Sequence, residues 1–385
     1  MAPSFVDFPL RIVTPDYASP LTDVVMELEH LRRLDLKGDT PSAVFHQLKD
    51  IFHTLESLGS ARIEGNHTTL ADYIESKIDI PPAPNENILE VRNIERAMGF
   101  VEEAVEAGGP ISEKFIRELH QLAVEGLVRE GDKTPGQYRS GEVQIAGAEH
   151  LPPNAATLPA HMRELTDFIN RADSPKYDLL KTALVHHRFC WVHPFGNGNG
   201  RVVRLLSYAM LIKYGFNVQV GGRVLNPTAV FCNDRNAYYA MLATADAGTD
   251  EGLQTWCLYV LSGIRDELQK VDRLTRYAYL RDEILKPALA HSKARRLITP
   301  QEEAVLGMAI TKGEFKAADV DTVLPALTQR QRTYLIAKLI EARMIRPIRE
   351  GSRTYVVSFA NSYLLRGVIR ALEEKGFIPP LVRVG

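Results

Sequence analysis

Twelve residues, His193 to Arg204 (His-Pro-Phe-Gly-Asn-Gly-Asn-Gly-Arg-Val-Val-Arg), bring together the residue types needed to handle a polyphosphate. Asn197-Gly198-Asn199-Gly200 is glycine-rich and turn-prone, so successive backbone N–H groups can point inward as an anion nest. The apolar run Val202–Met210 follows at once and reads as a helix. The turn then lies at a helix N-terminus, where free amides and the helix dipole favour phosphate. Arg201 and Arg204 fall on one face of that helix, and each guanidinium can fork onto phosphate oxygens. His193, just before the turn, is placed to act as a general base.

This stretch resembles the signature of the Fic (filamentation-induced-by-cAMP) family, His-x-Phe-x-Asp/Glu-Gly-Asn-Gly-Arg-x-x-Arg, at every defined position but one. The resemblance implies transfer of AMP from ATP to a hydroxyl of a target protein. On that reading His193 deprotonates the hydroxyl, and Asn199 with the Gly198 and Gly200 amides holds the α-phosphate. Arg201 then clamps the phosphates and Arg204 the γ-phosphate. The departure is Asn197, where the family carries the carboxylate that holds Mg²⁺. An amide carbonyl coordinates a hard cation without the charge attraction. Three outcomes stay open: weaker metal binding with slow transfer, metal recruited mainly by the ATP phosphates, or altered chemistry. Cys190 also departs from relatives, which often carry Glu three residues before the histidine.

Upstream, Ser60-Ala61-Arg62-Ile63-Glu64-Gly65-Asn66 is similar to an inhibitory motif, Ser/Thr-x-x-x-Glu-Gly/Asn, of one subclass of the family. The resemblance makes Ser60 and Glu64 the inhibitory residues and places Glu64 opposite Arg204, with the carboxylate blocking the γ-phosphate. The same glutamate in some relatives supports removal of AMP, so the direction of the reaction stays open. Between the two motifs, Pro135–Arg139 and Gly141–Gly147 read as a turn and a short alternating hairpin. It resembles the family's flap, whose strand edge, here Val143 and Ile145, aligns a target segment by β-augmentation. Downstream, Tyr238-Tyr239 and Asp246 match the region where relatives hold adenine. Tyr239 is the better adenine candidate, and Tyr238 stays open between core packing and adenine contact.

The elements that must position these residues are helices. Thr40 looks like an N-cap with Pro41 at the first helical position, opening a helix toward Gly59. Ile80–Pro84 is a break, and Ile88–Ala107 is the next periodic segment. Helices are expected over Ser112–Val128, Leu158–Asn170, Asp178–Trp191, Val202–Tyr214, Pro227–Ala245 and Gly252–Leu285. The expected class is all-α, a mainly helical bundle with one β-hairpin flap, since βαβ alternation is absent from the pattern. Beyond Pro287 the pattern changes to three helices and a hairpin around Glu350-Gly351-Ser352, a winged helix-turn-helix. The division expected is 1–108, carrying the inhibitory motif, 109–286 as the core, and 287–385 as the winged unit.

Composition bounds the remainder. The chain has 385 residues, 45% hydrophobic and 24% charged, with a net charge of −2. That balance argues against wholesale nucleic-acid binding. From Lys293 to Arg353, however, twelve Lys/Arg stand against seven Asp/Glu. Arg330, Arg332 and Lys338 fall on the expected recognition helix, so DNA contact, dimerisation and target docking all remain open. Cys190, Cys232 and Cys257 form no disulfide framework, which points to a reducing cytoplasm. Neither a signal region nor a run of eighteen apolar residues is present in the sequence. Two functional classes follow. One is an ATP- and Mg²⁺-dependent protein adenylyltransferase restrained by Glu64, acting on an unidentified target protein or on itself, with a homodimer as an option. The other is a DNA-binding regulator that senses nucleotide.

Overall fold

The computed structural model describes residues 5–33, 38–78, 85–216, 228–359 and 363–378. The break expected at Ile80–Pro84 and the expected helix start at Pro227 lie outside the described residues.

The N-terminal two thirds is a helical assembly: α1 (Pro20–Arg33), α2 (Ser42–Ile63), α3 (Leu70–Ile78), α4 (Glu86–Ala104), α5 (Glu113–Val124), α6 (Leu158–Asn170), α7 (Asp178–Val192), α8 (Asn199–Lys213), α9 (Thr228–Asn233), α10 (Arg235–Ala245) and α11 (Asp250–Asp272). Its centre is the pair α7 and α8, joined by the short signature loop. Both are buried nearly all round, with Leu180, Ala183, Leu184, Val203, Leu206 and Met210 all inside. A helix apolar on every side is one that other helices enclose. Here α2, α4 and α5 pack on α8, while α6 and α11 pack on α7. Trp256 of α11 ties that layer down by donating its indole N–H to the Ala183 carbonyl at 2.7 Å.

Local signals set the ends of these helices. Asn85 caps α4 by accepting from the Ile88 N–H at 2.9 Å, and Ser112 caps α5 from Phe115 at 3.1 Å. Helix α6 runs over the expected span, and α7 ends one residue beyond it. Two longer segments break. The segment expected to end at Ala245 is interrupted at Asp234, whose carboxylate accepts from the Asn236 and Ala237 N–H groups, both at 2.9 Å. The segment Gly252–Leu285 stops at Asp272, where a 3₁₀ turn (Arg273–Thr275) begins. Thr40 is not the cap of α2. Its hydroxyl donates to the Leu274 carbonyl at 3.1 Å and the helix starts after Pro41.

One expectation fails outright. Residues 135–149 form no hairpin: 142–145 belong to no strand and pair with none. Arg139 is the physical reason. Its guanidinium donates to the carbonyls of His193, Gly141 and Pro153 at 2.9, 2.9 and 2.6 Å. The two limbs are therefore drawn onto the signature loop instead of onto each other. Val143 and Ile145 stay half-buried between exposed Glu142 and Gln144, so the alternation survives without the ladder.

After α11 come the single turn α12 (Tyr277–Tyr279), a π-helical stretch (Leu280–Leu285) and α13 (Lys286–Ala294). The C-terminal unit then runs α14 (Pro300–Lys312), β1 (Phe315–Lys316), a 3₁₀ helix (Ala317–Thr322), α15 (Gln329–Glu341), β2 (Ile345–Pro347), β3 (Thr354–Val357) and α16 (Leu364–Glu374). The antiparallel sheet has order β1-β3-β2, with Ile345 opposite Val357 and Phe315 opposite Tyr355. Capping boxes at Thr299/Glu302 and Thr328/Gln331 start α14 and α15. The unit grips α2: Gln47 donates to the Val357 carbonyl at 2.9 Å and accepts from the Phe359 N–H at 2.8 Å. Among the described residues, no helix is long and apolar enough to cross a membrane.

Candidate active site

The signature loop turns between the C-terminus of α7 and the N-terminus of α8. His193 ends α7 in the left-handed region (φ 48°, ψ 61°), its N–H donating to the Phe189 carbonyl at 2.9 Å. A non-glycine residue there stores on the order of 1–3 kcal/mol, which surrounding contacts must hold. Arg139 supplies one such contact through the His193 carbonyl. Burial, reinforced by the Arg139 charge, pushes the His193 imidazole down to about 4, against the opposing pull of a hydrogen bond to the Cys190 carbonyl and of Glu64. The ring is neutral at pH 7 and ready to accept a proton.

The loop itself is fixed from within. Asn199 accepts from the Phe195 N–H and donates to the Phe195 carbonyl, both at 2.9 Å. Its side chain therefore staples the turn and does not face outward to an α-phosphate, which corrects the role expected for it. Gly198 sits at φ 78°, and a Cβ there would lie 2.8 Å from Val124 Cγ1, so both conformation and space demand glycine. Beneath the loop, His120 of α5 stacks on Phe195 with ring centroids 3.8 Å apart. His120 Nδ1 accepts from the Gly136 N–H at 2.9 Å, which leaves Nε2 to donate to the Asn197 carbonyl at 3.1 Å. This histidine was invisible to motif reading, because a lone histidine on an amphipathic helix carries no spacing signal.

Asn197 does not offer a metal site. Its Oδ1 accepts from the Gly198 N–H at 2.7 Å and its Nδ2 donates to the Gly131 carbonyl at 3.2 Å. Among the described residues, no three or more His, Cys, Asp or Glu side chains gather as metal ligands. A neutral amide already spent on the backbone does not fit Mg²⁺ coordination, so the expected metal role of Asn197 has no structural counterpart.

The two arginines have different fates. Arg204 is buried and meets the inhibitory motif: Nη2 lies 2.7 Å from Glu64 Oε1, and Nε and Nη2 donate to the Ser60 hydroxyl and carbonyl at 2.8 and 3.0 Å. Glu64 is the C-cap of α2 and keeps about a quarter of its side chain exposed. Burial would raise its carboxyl, but Arg204 and Arg201 together with the Arg204 hydrogen bond outweigh this and hold it below the usual range. The carboxylate rests directly on the start of α8; a Cβ on Gly200 would lie 2.1 Å from Glu64 Oε1. It thus occupies the position in which a helix N-terminus binds an anion. Arg201 turns the other way. It forms an ion pair with Glu90 of α4 at 2.9 Å, both side chains 1% exposed, and donates to the Glu130 carbonyl at 2.7 Å. The expected phosphate clamp is here a buried strut, and Glu90, outside every motif, went unnoticed.

Tyr239 is exposed, with the Arg235 guanidinium 5.4 Å from its ring centroid, so one face of α10 remains accessible. Tyr238 is core, its hydroxyl 2.9 Å from His186 Nε2. Asp246 pairs with buried His187 at 3.0 Å, which gives its carboxylate a structural partner in place of adenine. On α15, Arg332 pairs with Asp321 and Lys338 with Glu302, leaving Arg330 and the exposed Tyr334 on the outer face.

Residues 110–211 match the Fic/DOC family. Curated relatives named protein adenylyltransferase Fic include that of Drosophila yakuba, 28% identical over 244 residues and covering 59% of this chain and 45% of the relative. That of Nematostella vectensis is 28% identical over 255 residues, covering 63% and 52%. The chain thus spans about half the length of the curated relatives it matches. Among solved structures, a Fic family protein from Desulfovibrio desulfuricans G20 superposes with a TM-score of 0.54 at 23% identity, covering 91% of this chain and 98% of that one. A Fic-domain signaling protein from Bacteroides thetaiotaomicron gives 0.52 at 20% identity, covering 67% and 97%. The fold is shared with both, and residues 110–211, the part that matches the Fic/DOC family, hold His193 and both signature arginines.

Proposed function

We propose that this protein is an ATP-dependent protein adenylyltransferase restrained by Glu64. The observation that carries the reading is the Glu64 carboxylate seated on the start of α8, across the short signature loop from the half-buried His193 at the end of α7. The curated relatives' name supports the reaction class. When Glu64 withdraws, the start of α8 and Arg204 are left to receive phosphate oxygens. A target hydroxyl then loses its proton to the His193 imidazole as its oxygen attacks the α-phosphorus. The new O–P bond forms while the bond from the α-phosphorus to the bridging oxygen breaks, and pyrophosphate leaves with that electron pair. The gain comes from positioning and charge neutralisation, as in phosphoryl transfer at large.

The backbone at 142–145, which pairs with no strand, supports a target strand laid beside Val143 and Ile145, and the exposed Tyr239 supports an adenine position over α10. The three free thiols, Cys190, Cys232 and Cys257, support a reducing, cytoplasmic setting. The C-terminal unit reads as a winged helix, and the acidic partners of Arg332 and Lys338 favour a docking role for it over DNA contact.

The test is incubation of the full chain with ATP labelled at the α-phosphate. His193→Ala should lower transfer by ~10²–10⁴-fold, the usual worth of a general base, while ATP binding persists. Undiminished labelling by that variant would rule out the assigned role.

A further inference from the structure

Glu64 lies just past the end of α2, and a helix end frays unless something outside the helix holds it. Two residues on, Asn66 is 3% exposed and donates its amide to the Asn87 carbonyl at 2.8 Å and to Glu90 Oε2 at 2.7 Å. Its own Oδ1 accepts from the Thr68 N–H at 2.8 Å, so each polar atom of the side chain is used. Gly65, at φ 95°, makes the reversal that places Asn66 against α4 while Glu64 faces α8. Glu90 in turn carries the buried ion pair with Arg201. A closed circuit results: Arg204 to Glu64, through the turn to Asn66, to Glu90, to Arg201, and back along one turn of α8.

We infer that Asn66 and Glu90 are positioning residues for the Glu64 latch, holding its turn against the phosphate loop so that Arg204 is withheld from nucleotide. The inference rests on the reading that Arg204 receives an ATP phosphate. No hydrogen bond joins Asn66 to Arg204, so Asn66 acts on it through the Glu64 turn, which its bonds to Asn87 and Glu90 anchor to α4. Replacing it frees the turn while leaving the Glu90–Arg201 pair in place. Replacing Glu90 would also strand a buried arginine, whose cost spreads to folding. Asn66 is therefore the cleaner site to test.

Full-length protein is titrated calorimetrically with ATP and, separately, with AMP, which lacks the phosphates that Glu64 opposes. Asn66→Ala should tighten ATP on the order of tenfold, the scale of one hydrogen bond to a charged group, and leave AMP unchanged. Asn66→Asp keeps the shape and the Thr68 contact but sets a carboxylate against Glu90, so it should tighten ATP at least as much. A packing role would spare it. This second variant also decides the matter if the alanine form fails to fold. In a Glu64→Gly background neither change should tighten ATP further. Equal tightening in both backgrounds, or none in the wild-type background, overturns the inference while the latch itself stands. If Glu64→Gly fails to tighten ATP, the latch reading falls, and the inference with it.

Discussion

The signature loop and the 135–150 segment lie side by side and are built in opposite ways. In the loop, Asn197, Asn199, His120, Arg139 and Arg204 satisfy one another and the backbone at normal hydrogen-bond distances, with side chains from α2 and α5 closing round it. In the neighbouring segment the backbone at 142–145 pairs with no strand, and the fastenings gather at its two ends, Arg139 on the Gly141 carbonyl and His150 on the Trp191 carbonyl. The difference separates two tasks. The catalytic loop must be rigid before substrate arrives, because misplacement by an ångström costs rate. The segment beside it is left open, as a surface that completes its pairing with another chain would be.

Breaking the rigid side should have the larger effect. Glu64→Gly removes a charge-assisted pair, worth ~1.5–3 kcal/mol, and should raise target or self-labelling by about ten- to a hundredfold. A double-mutant cycle with Arg204→Ala should be strongly non-additive, and additivity would mean that the two do not act as a pair. Arg139→Ala loses a side chain that joins both regions. Its transfer rate should fall by at least about tenfold, since His193 loses a contact that holds its strained backbone. ATP affinity, measured calorimetrically, should change little, whereas a loss of ATP binding equal to the loss of rate would mean that Arg139 serves the nucleotide directly.

The pH response sharpens the same contrast. The His193 imidazole lies at about 4, below its ordinary range, so its neutral form persists as pH falls and is lost only on approach to that value. The Glu64 carboxyl is also held low, so the latch is present above the usual carboxylate range and is lost only below it. The kcat/KM of Glu64→Gly should therefore be flat from about pH 6 to 8, without a histidine inflection near 6.5. An inflection there would show that His193 is more exposed in the working enzyme than in this structure.

The smallest effect is expected at Asn197. Asn197→Asp loses the donor to the Gly131 carbonyl and sets oxygen against oxygen, at a cost of ~1–3 kcal/mol. A lower melting temperature that Mg²⁺ restores in the variant, and not in wild type, would show that a carboxylate is what this site lacks for a metal. Melting unchanged by Mg²⁺ in both would place residue 197 away from any cation.

Much of this was legible in the sequence. Caps and hydrophobic period placed α6 and α7 within a residue, and the resemblance of Ser60–Asn66 to an inhibitory motif anticipated the contact of Glu64 with Arg204, 140 residues apart in the chain. Contacts that depend on tertiary packing were not legible. Glu90 and His120 sit on amphipathic helices with ordinary spacing, and only the fold brings them to the loop. The flap misled because the alternation of Val143 and Ile145 marks which side chains are half-buried, whereas ladder formation depends on where Arg139 pulls its limbs. Asn199 and Arg201 misled for a related reason: residue type shows what a side chain can bind, and a neighbouring backbone or acid reached it first.

The central claim is that His193 is the base for transfer of AMP to a hydroxyl and that Glu64 restrains that transfer. Labelling from ATP marked at the α-phosphate, compared between wild type, Glu64→Gly and Glu64→Gly/His193→Ala, tests both halves together. Labelling should be weak in wild type, strong in Glu64→Gly and absent from the double variant. Equal labelling of wild type and Glu64→Gly would contradict the restraint, and label retained without His193 would contradict the mechanism.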